Sequence, residues 1–133
     1  MPPLPTTLDP TPDQEVVIVV DPYSTGCLIV REFKLRGYLV VALWTFGFSE
    51  EMKTHVPTAC GHLEYLAYVD EVENSLDATV ASLQAACGMH KMVACLAGGE
   101  AGVDLADALS ERLSLLTNGT DTFRRDKKIQ QEL

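Results

Sequence analysis

Residues 15–43 read Glu15-Val-Val-Ile-Val-Val20, Asp21-Pro-Tyr-Ser-Thr-Gly26, Cys27-Leu-Ile-Val-Arg-Glu-Phe-Lys-Leu-Arg36 and Gly37-Tyr-Leu-Val-Val-Ala-Leu43. The first block is a β-branched run bounded by polar residues, the pattern of a strand buried on both faces. Proline lacks a backbone donor, so pairing should stop at Asp21-Pro22. From Gly26 to Arg36 the pattern turns helical, with Leu28, Ile29, Phe33 and Leu35 set among polar residues, and Gly37 supplies a C-terminal stop. Tyr38 to Leu43, continuing into Trp44, is a second buried strand. A strand–helix–strand unit of about thirty residues is a βαβ crossover, which makes its two strands parallel.

Outward from this unit the alternation continues. Thr45–Glu64 is mixed and reads as loop with one short helix near Ser49–Lys53. Tyr65–Val69 is a short strand, and Asn74 is placed to cap a helix whose Leu76, Val80, Leu83 and Cys87 share one face. Lys91–Leu96 is the next strand, and Val103–Leu113 a helix with Leu105, Leu109 and Leu113 aligned. Asn118-Gly119 reads as a turn, and a last helix should run from Thr120 or Asp121 to Leu133. Residues 1–14 hold five of the seven prolines and no hydrophobic period, so they read as a flexible leader. The expected fold is therefore α/β: a three-layer, Rossmann-like domain with a parallel sheet of four to five strands and helices on both faces.

Composition narrows the function. A chain of 133 residues is one domain, and 47% hydrophobic with 22% charged residues is the balance of a folded protein. Nineteen acidic against ten basic residues give a net charge of −9, which argues against a nucleic-acid partner. The N-terminus lacks the basic and apolar regions of a signal peptide, and no apolar run approaches the ~20 residues of a membrane span, so a cytoplasmic protein without a membrane partner is expected. Cys27, Cys60, Cys87 and Cys95 form no C-x-x-C pair and read as buried, reduced thiols. His55, His62 and His90 have no metal-ligand spacing and read as surface or loop residues.

In parallel sheets ligands sit beyond the carboxyl ends of the strands, where the strand order reverses. That rule selects two loops, Asp21–Gly26 and Gly98–Gly102. Ser24, Thr25 and Gly26 stand at a helix N-terminus, where amides and dipole can hold an anion or where a hydroxyl simply caps the helix. Gly98 and Gly99 permit close backbone approach, and Glu100 at the following helix start can receive an amine or merely stabilise that helix. No dinucleotide fingerprint, P-loop or G-x-S-x-G elbow is present. Asp21 and Asp70 follow strands as in a phosphoacceptor receiver, but such a site needs an acidic pair after the first strand. Arg124-Arg-Asp-Lys-Lys128 is the one basic cluster; such a run is usually a solvated helix face, but at a helix start, where cations oppose the dipole, it also suits phosphate contact.

Taken in order, Asp21-Pro-Tyr-Ser-Thr-Gly26, Arg36-Gly-Tyr38, Gly98-Gly-Glu-Ala-Gly-Val-Asp-Leu-Ala-Asp-Ala-Leu109, Leu115-Leu-Thr-Asn-Gly119 and Arg124-Arg-Asp-Lys127 resemble the N-terminal (pre-ATP-grasp) domain of ATP-grasp carboxylate–amine ligases, in the branch that joins amino acids and includes carnosine-synthase-like enzymes. The resemblance runs from about Val16 to the C-terminus. It implies a ligase that uses ATP and Mg²⁺ to phosphorylate a carboxylate, which an amine then attacks. It implies that residues 15–120 form the pre-ATP-grasp domain and that 121–133 begin the ATP-grasp domain, where Lys127 would contact ATP phosphate. Gly98, Gly99 and Glu100 would border the substrate cleft or the interdomain contact, although the family's proline after this glutamate is Ala101 here. The metal-binding carboxylates and the phosphate-covering loop of the family have no counterpart in the chain. The expected role is thus a non-catalytic domain that packs against the remaining ATP-grasp domains, of the same or another chain, and forms one wall of the cleft. The alternatives are a stand-alone small-anion-binding or regulatory module and a docking subunit of a separate ligase; a homodimer is also compatible.

Overall fold

A computed structural model of the chain describes residues 13–57, 60–61 and 63–115. The elements run β1 (Val16–Val20), α1 (Gly26–Leu35), β2 (Leu39–Trp44), α2 (Glu50–Lys53), β3 (Ala67–Asp70), α3 (Leu76–Cys87), β4 (Met92–Ala97) and α4 (Val103–Arg112), with a 3₁₀ turn at Glu100–Gly102 leading into α4. The four strands form one sheet in the order β3-β2-β1-β4, and every pairing is parallel. This is the expected α/β, Rossmann-like architecture with four strands. The expected turn at Asn118-Gly119, the final helix, Lys127, the basic cluster, His62 and most of the leader lie outside the described residues.

Alternation along β1 divides the core. Val16, Ile18 and Val20 face one side, where they meet Leu83 of α3 and Leu105 and Leu109 of α4. Val17 and Val19 face the other, where Val30 of α1 and Val40 cover them. All five β1 side chains are at most 1% exposed. Burying each contributes about 1.5–3 kcal/mol relative to exposure, which is why so unbroken an apolar run becomes the strand with a neighbour on each side. Leu63 and Tyr65 lie over the α1 face, so the connection from β2 to β3 stays on that side. The helix α3 then crosses to the opposite side and delivers β4 to the far edge of β1. The reversal in strand order therefore falls between β1 and β4.

Three local readings shift. The α1 helix buries Gly26, Cys27 and Val30 and packs Phe33 beside them, while Leu28, one of the apolar residues read in this helix, is rotated outward and 48% exposed. Contact between Gly26 and the backbone after β4, described below, sets that rotation. Ser75, not Asn74, caps α3: its hydroxyl accepts from the Ala78 amide, and Asn74 takes the left-handed turn at φ 58°. Both residues offer a capping oxygen, but asparagine also tolerates that backbone region, so it takes the turn. The third strand is Ala67–Asp70 rather than Tyr65–Val69, although the Leu66 amide already donates to Val40. The helix faces predicted for α3 and α4 are seen, with Val80, Leu83, Cys87, Leu105 and Leu109 buried. All four cysteines are free and buried. No helix among the described residues is long and apolar enough to cross a membrane.

Candidate functional site

Two loops selected from sequence meet at the carboxyl end of the sheet, at the β1–β4 reversal. The contact is tight. A Cβ on Gly26 would lie 2.3 Å from the Gly98 carbonyl oxygen, and one on Gly98 would lie 2.9 Å from the Asp21 carbonyl oxygen. A Cβ on Gly99 would strike the Tyr23 ring at 2.5 Å, and one on Gly102 would strike Val20 at 2.7 Å. The space these glycines leave is filled by the opposing loop and, at Gly102, by Val20 of β1. Their absent side chains thus explain how two loop backbones can interlock over the strand ends.

The same packing commits the amides at the start of α1. Ser24 donates its N–H to the His55 carbonyl, Gly26 to Tyr23, Cys27 to Ser24 and Leu28 to Thr25. Thr25 holds the N-cap position, yet its side chain makes no capping bond. Ser24 and Thr25 are exposed, Gly26 is buried, Gly98 and Gly99 are half-buried, and Glu100 is exposed. Ser24 sits at φ 51° and Asp21 at φ 55°, left-handed conformations uncommon for residues other than glycine. Sparse backbone conformations of this kind gather at functional loops.

Asp21 anchors the arrangement, a role that its place before a proline did not reveal. It is fully buried, and both carboxylate oxygens accept from Thr45, one from the amide at 2.9 Å and one from the hydroxyl at 3.0 Å. Burial raises its carboxyl above the ordinary range, and Glu71 adds to that; the Thr45 bonds and Lys53 oppose it. The available signal was a threonine at the end of β2 beside an aspartate at the end of β1, strands whose partners Val20 and Leu43 are in register.

Beyond Asp21 the carboxyl end carries an aromatic shelf that the sequence reading also missed. The Gly99-supported Tyr23 ring meets Phe48 edge-on at 5.0 Å, and Phe48 meets Trp44 at 5.0 Å. Lys53 lies over Trp44 at 5.3 Å and pairs with Glu50 at 3.0 Å and Asp70 at 3.8 Å. The Phe46 amide donates to the Glu71 carboxylate at 2.8 Å, joining the ends of β2 and β3.

Charge at this end is one-sided. The segments 21–25, 45–57, 71–75 and 98–102, which follow the four strands, hold six acidic residues and one lysine. Such a field opposes the approach of a phosphate. Among the described residues no group of three or more His, Cys, Asp or Glu side chains is arranged to hold a metal ion. Lys127, the expected ATP contact, lies outside the described residues. No family model, curated protein or solved structure matches this chain.

Proposed function

We propose that the chain is the N-terminal, non-catalytic domain of an ATP-dependent carboxylate–amine ligase, and that the carboxyl end of its sheet is one wall of the substrate cleft. The observation that carries this reading is the interlock of Asp21–Gly26 with Gly98–Glu100 at the β1–β4 reversal. These are two of the segments that carry the resemblance to pre-ATP-grasp domains, and their glycines are needed for one shared contact. The order β3-β2-β1-β4 supports it further, because it puts the reversal of strand order, beside which ligands sit in parallel sheets, at this point.

On this reading ATP and Mg²⁺ belong to the catalytic domains, which activate the carboxylate as an acyl phosphate. The residues described here shape and exclude: Asp21 holds the β1 and β2 ends together, and the glycine interlock stiffens the wall. The stand-alone anion-binding alternative is weakened by the committed amides of Ser24, Gly26, Cys27 and Leu28 and by the acidic surroundings.

The test is the size and activity of the native protein, captured from its source cells with an antibody to this domain. The expected result is a band several-fold larger than 14.5 kDa that releases ADP from Mg-ATP only when amino acids are added. A 14.5 kDa band with no amino-acid-dependent ADP release, alone or with captured partners, would overturn the reading.

A further inference from the structure

Cations are as unevenly placed in this chain as carboxylates. Of its ten lysines and arginines, four fall within Arg124-Arg-Asp-Lys-Lys128. The carboxyl end of the sheet, by contrast, exposes Glu51, Glu73 and Glu100, and its one lysine, Lys53, is already paired with Glu50 and Asp70. Among the described residues no cation pairs with Glu51 or Glu73. Within this acidic rim stand two exposed apolar side chains, Phe46 at 59% and Val72 at 39%. The Phe46 amide donates to Glu71, the neighbour of Val72, which ties the two together. Apolar groups left open beside carboxylates mark a surface that meets another protein segment.

The last described residues lie close to this face. Arg112, in the last turn of α4, donates to the Asp77 carboxylate from Nε at 3.2 Å and from Nη2 at 2.9 Å. Asp77 stands in the first turn of α3, directly after the segment 71–75, so the end of α4 is held beside the acidic end of the sheet. Leu115 follows three residues later and packs against the core cluster under α3 and α4. Arg124 is nine residues further on. Nine residues span up to about 30 Å, whereas four strands at their usual spacing cover about 15 Å. The basic cluster therefore reaches any point of the face. Its flanks match as well, since Phe123 and Ile129 bracket the four cations.

We infer that the segment Phe123–Ile129 of this chain occupies that face, with its cations on the Glu51 and Glu73 rim and its two apolar side chains against Phe46 and Val72. Exposed ion pairs are individually weak. A short tether, however, holds the cluster at an effective concentration on the order of millimolar, so several weak contacts act together. The face is then covered by its own chain, and any other basic partner must first displace that cover. None of this depends on the ligase reading.

The test treats the 133-residue chain, as an equal mixture of unlabelled and ¹⁵N-labelled copies, with a soluble carbodiimide that joins a lysine amine to a touching carboxylate. Mapping of the joined peptides is expected to find Lys127 or Lys128 coupled to Glu51 or Glu73 within one copy. The yield should fall about tenfold in 1 M salt, where the screening length shrinks to about 3 Å. It should fall as far in Arg124→Glu with Arg125→Glu, which keeps both reactive lysines but opposes the rim. Unchanged Trp44 emission shows that the variant is folded. Coupling only to Glu32 on α1 or Glu111 on α4 overturns the inference. Coupling only between copies also overturns it and gives the face to a second copy, and no coupling at all overturns it and leaves the face to an outside partner. A yield insensitive to salt and to charge reversal overturns it too, because it reports nearness along the chain alone.

Discussion

The glycines at the two ends of the sheet do different work. At the carboxyl end Gly26, Gly98, Gly99 and Gly102 have no room for a side chain: a Cβ at each would come within 3 Å of another atom. At the amino end Gly37 and Gly88 have nothing within 4 Å of a would-be Cβ, but they adopt φ of 92° and 58°. The carboxyl end needs four glycines for close approach and one, Gly47 at φ 78° in open space, for a turn, whereas these two amino-end glycines serve turning alone. Packing demands are two-sided, since the partner backbone must also move, whereas a turn's demand is confined to one residue. The carboxyl end is therefore the less forgiving of the two, and it is also the end that carries Asp21, the aromatic shelf and the acidic rim.

Gly26→Ala offers the hardest test of this contrast. The atom it would strike is backbone, so the strand-end loops must separate, at a cost of about 3 kcal/mol or more in urea unfolding. Gly88→Ala should cost about 1–2 kcal/mol, the price of an unfavourable backbone conformation alone. Equal costs would break the comparison.

Next in size is Asp21→Ala, expected to cost about 2 kcal/mol because it strands the Thr45 amide and hydroxyl. Asp21→Asn keeps an acceptor and tolerates the left-handed backbone, so it should cost much less. The pair also separates by pH. Burial raises the Asp21 carboxyl, so the folded protein holds this proton more tightly than the unfolded chain. The site's contribution is full below the ordinary carboxylate range and is lost as pH rises through the raised value. Unfolding midpoints measured upward from below the ordinary carboxylate range should therefore fall more for the wild type than for Asp21→Asn.

Gly99→Ala sharpens the picture, because the group it meets is the Tyr23 ring, which can swing aside. A cost of about 1 kcal/mol is expected, together with a red shift of Trp44 emission as Tyr23 and Phe48 shift. Trp44 is the chain's one tryptophan, so the signal is unambiguous. The smallest effect belongs to Gly37→Asn, about 1 kcal/mol or less with Trp44 emission unchanged. An emission change there would mean that the two ends are coupled through the sheet.

Much of the architecture was legible because it rests on local rules. The β-branched runs at 16–20 and 39–44, the stop at Gly37 and the leucine faces of α3 and α4 follow from periodicity and propensity alone. So does the choice of the two carboxyl-end loops, which depends on strand direction and not on contacts. The rotation of α1 was not legible, because Leu28 and Val30 are equally apolar and the Gly26–Gly98 contact decides between them. Asp21 was read as a strand terminator, since its partner Thr45 lies 24 residues away. The aromatic shelf was missed for the same reason: Tyr23, Trp44 and Phe48 share no helical or strand period.

The sequence by itself determined the alternation of strands and helices, the acidic balance and the identity of the two loops, because each is a property of a short stretch. Only the tertiary structure decided that those loops interlock, that the amides of Ser24 and Gly26 are already taken, and that exposed apolar groups and carboxylates share one end of the sheet. Those properties depend on which distant segments come within a few ångströms, and the parallel crossovers that bring them together place the partners far apart along the chain.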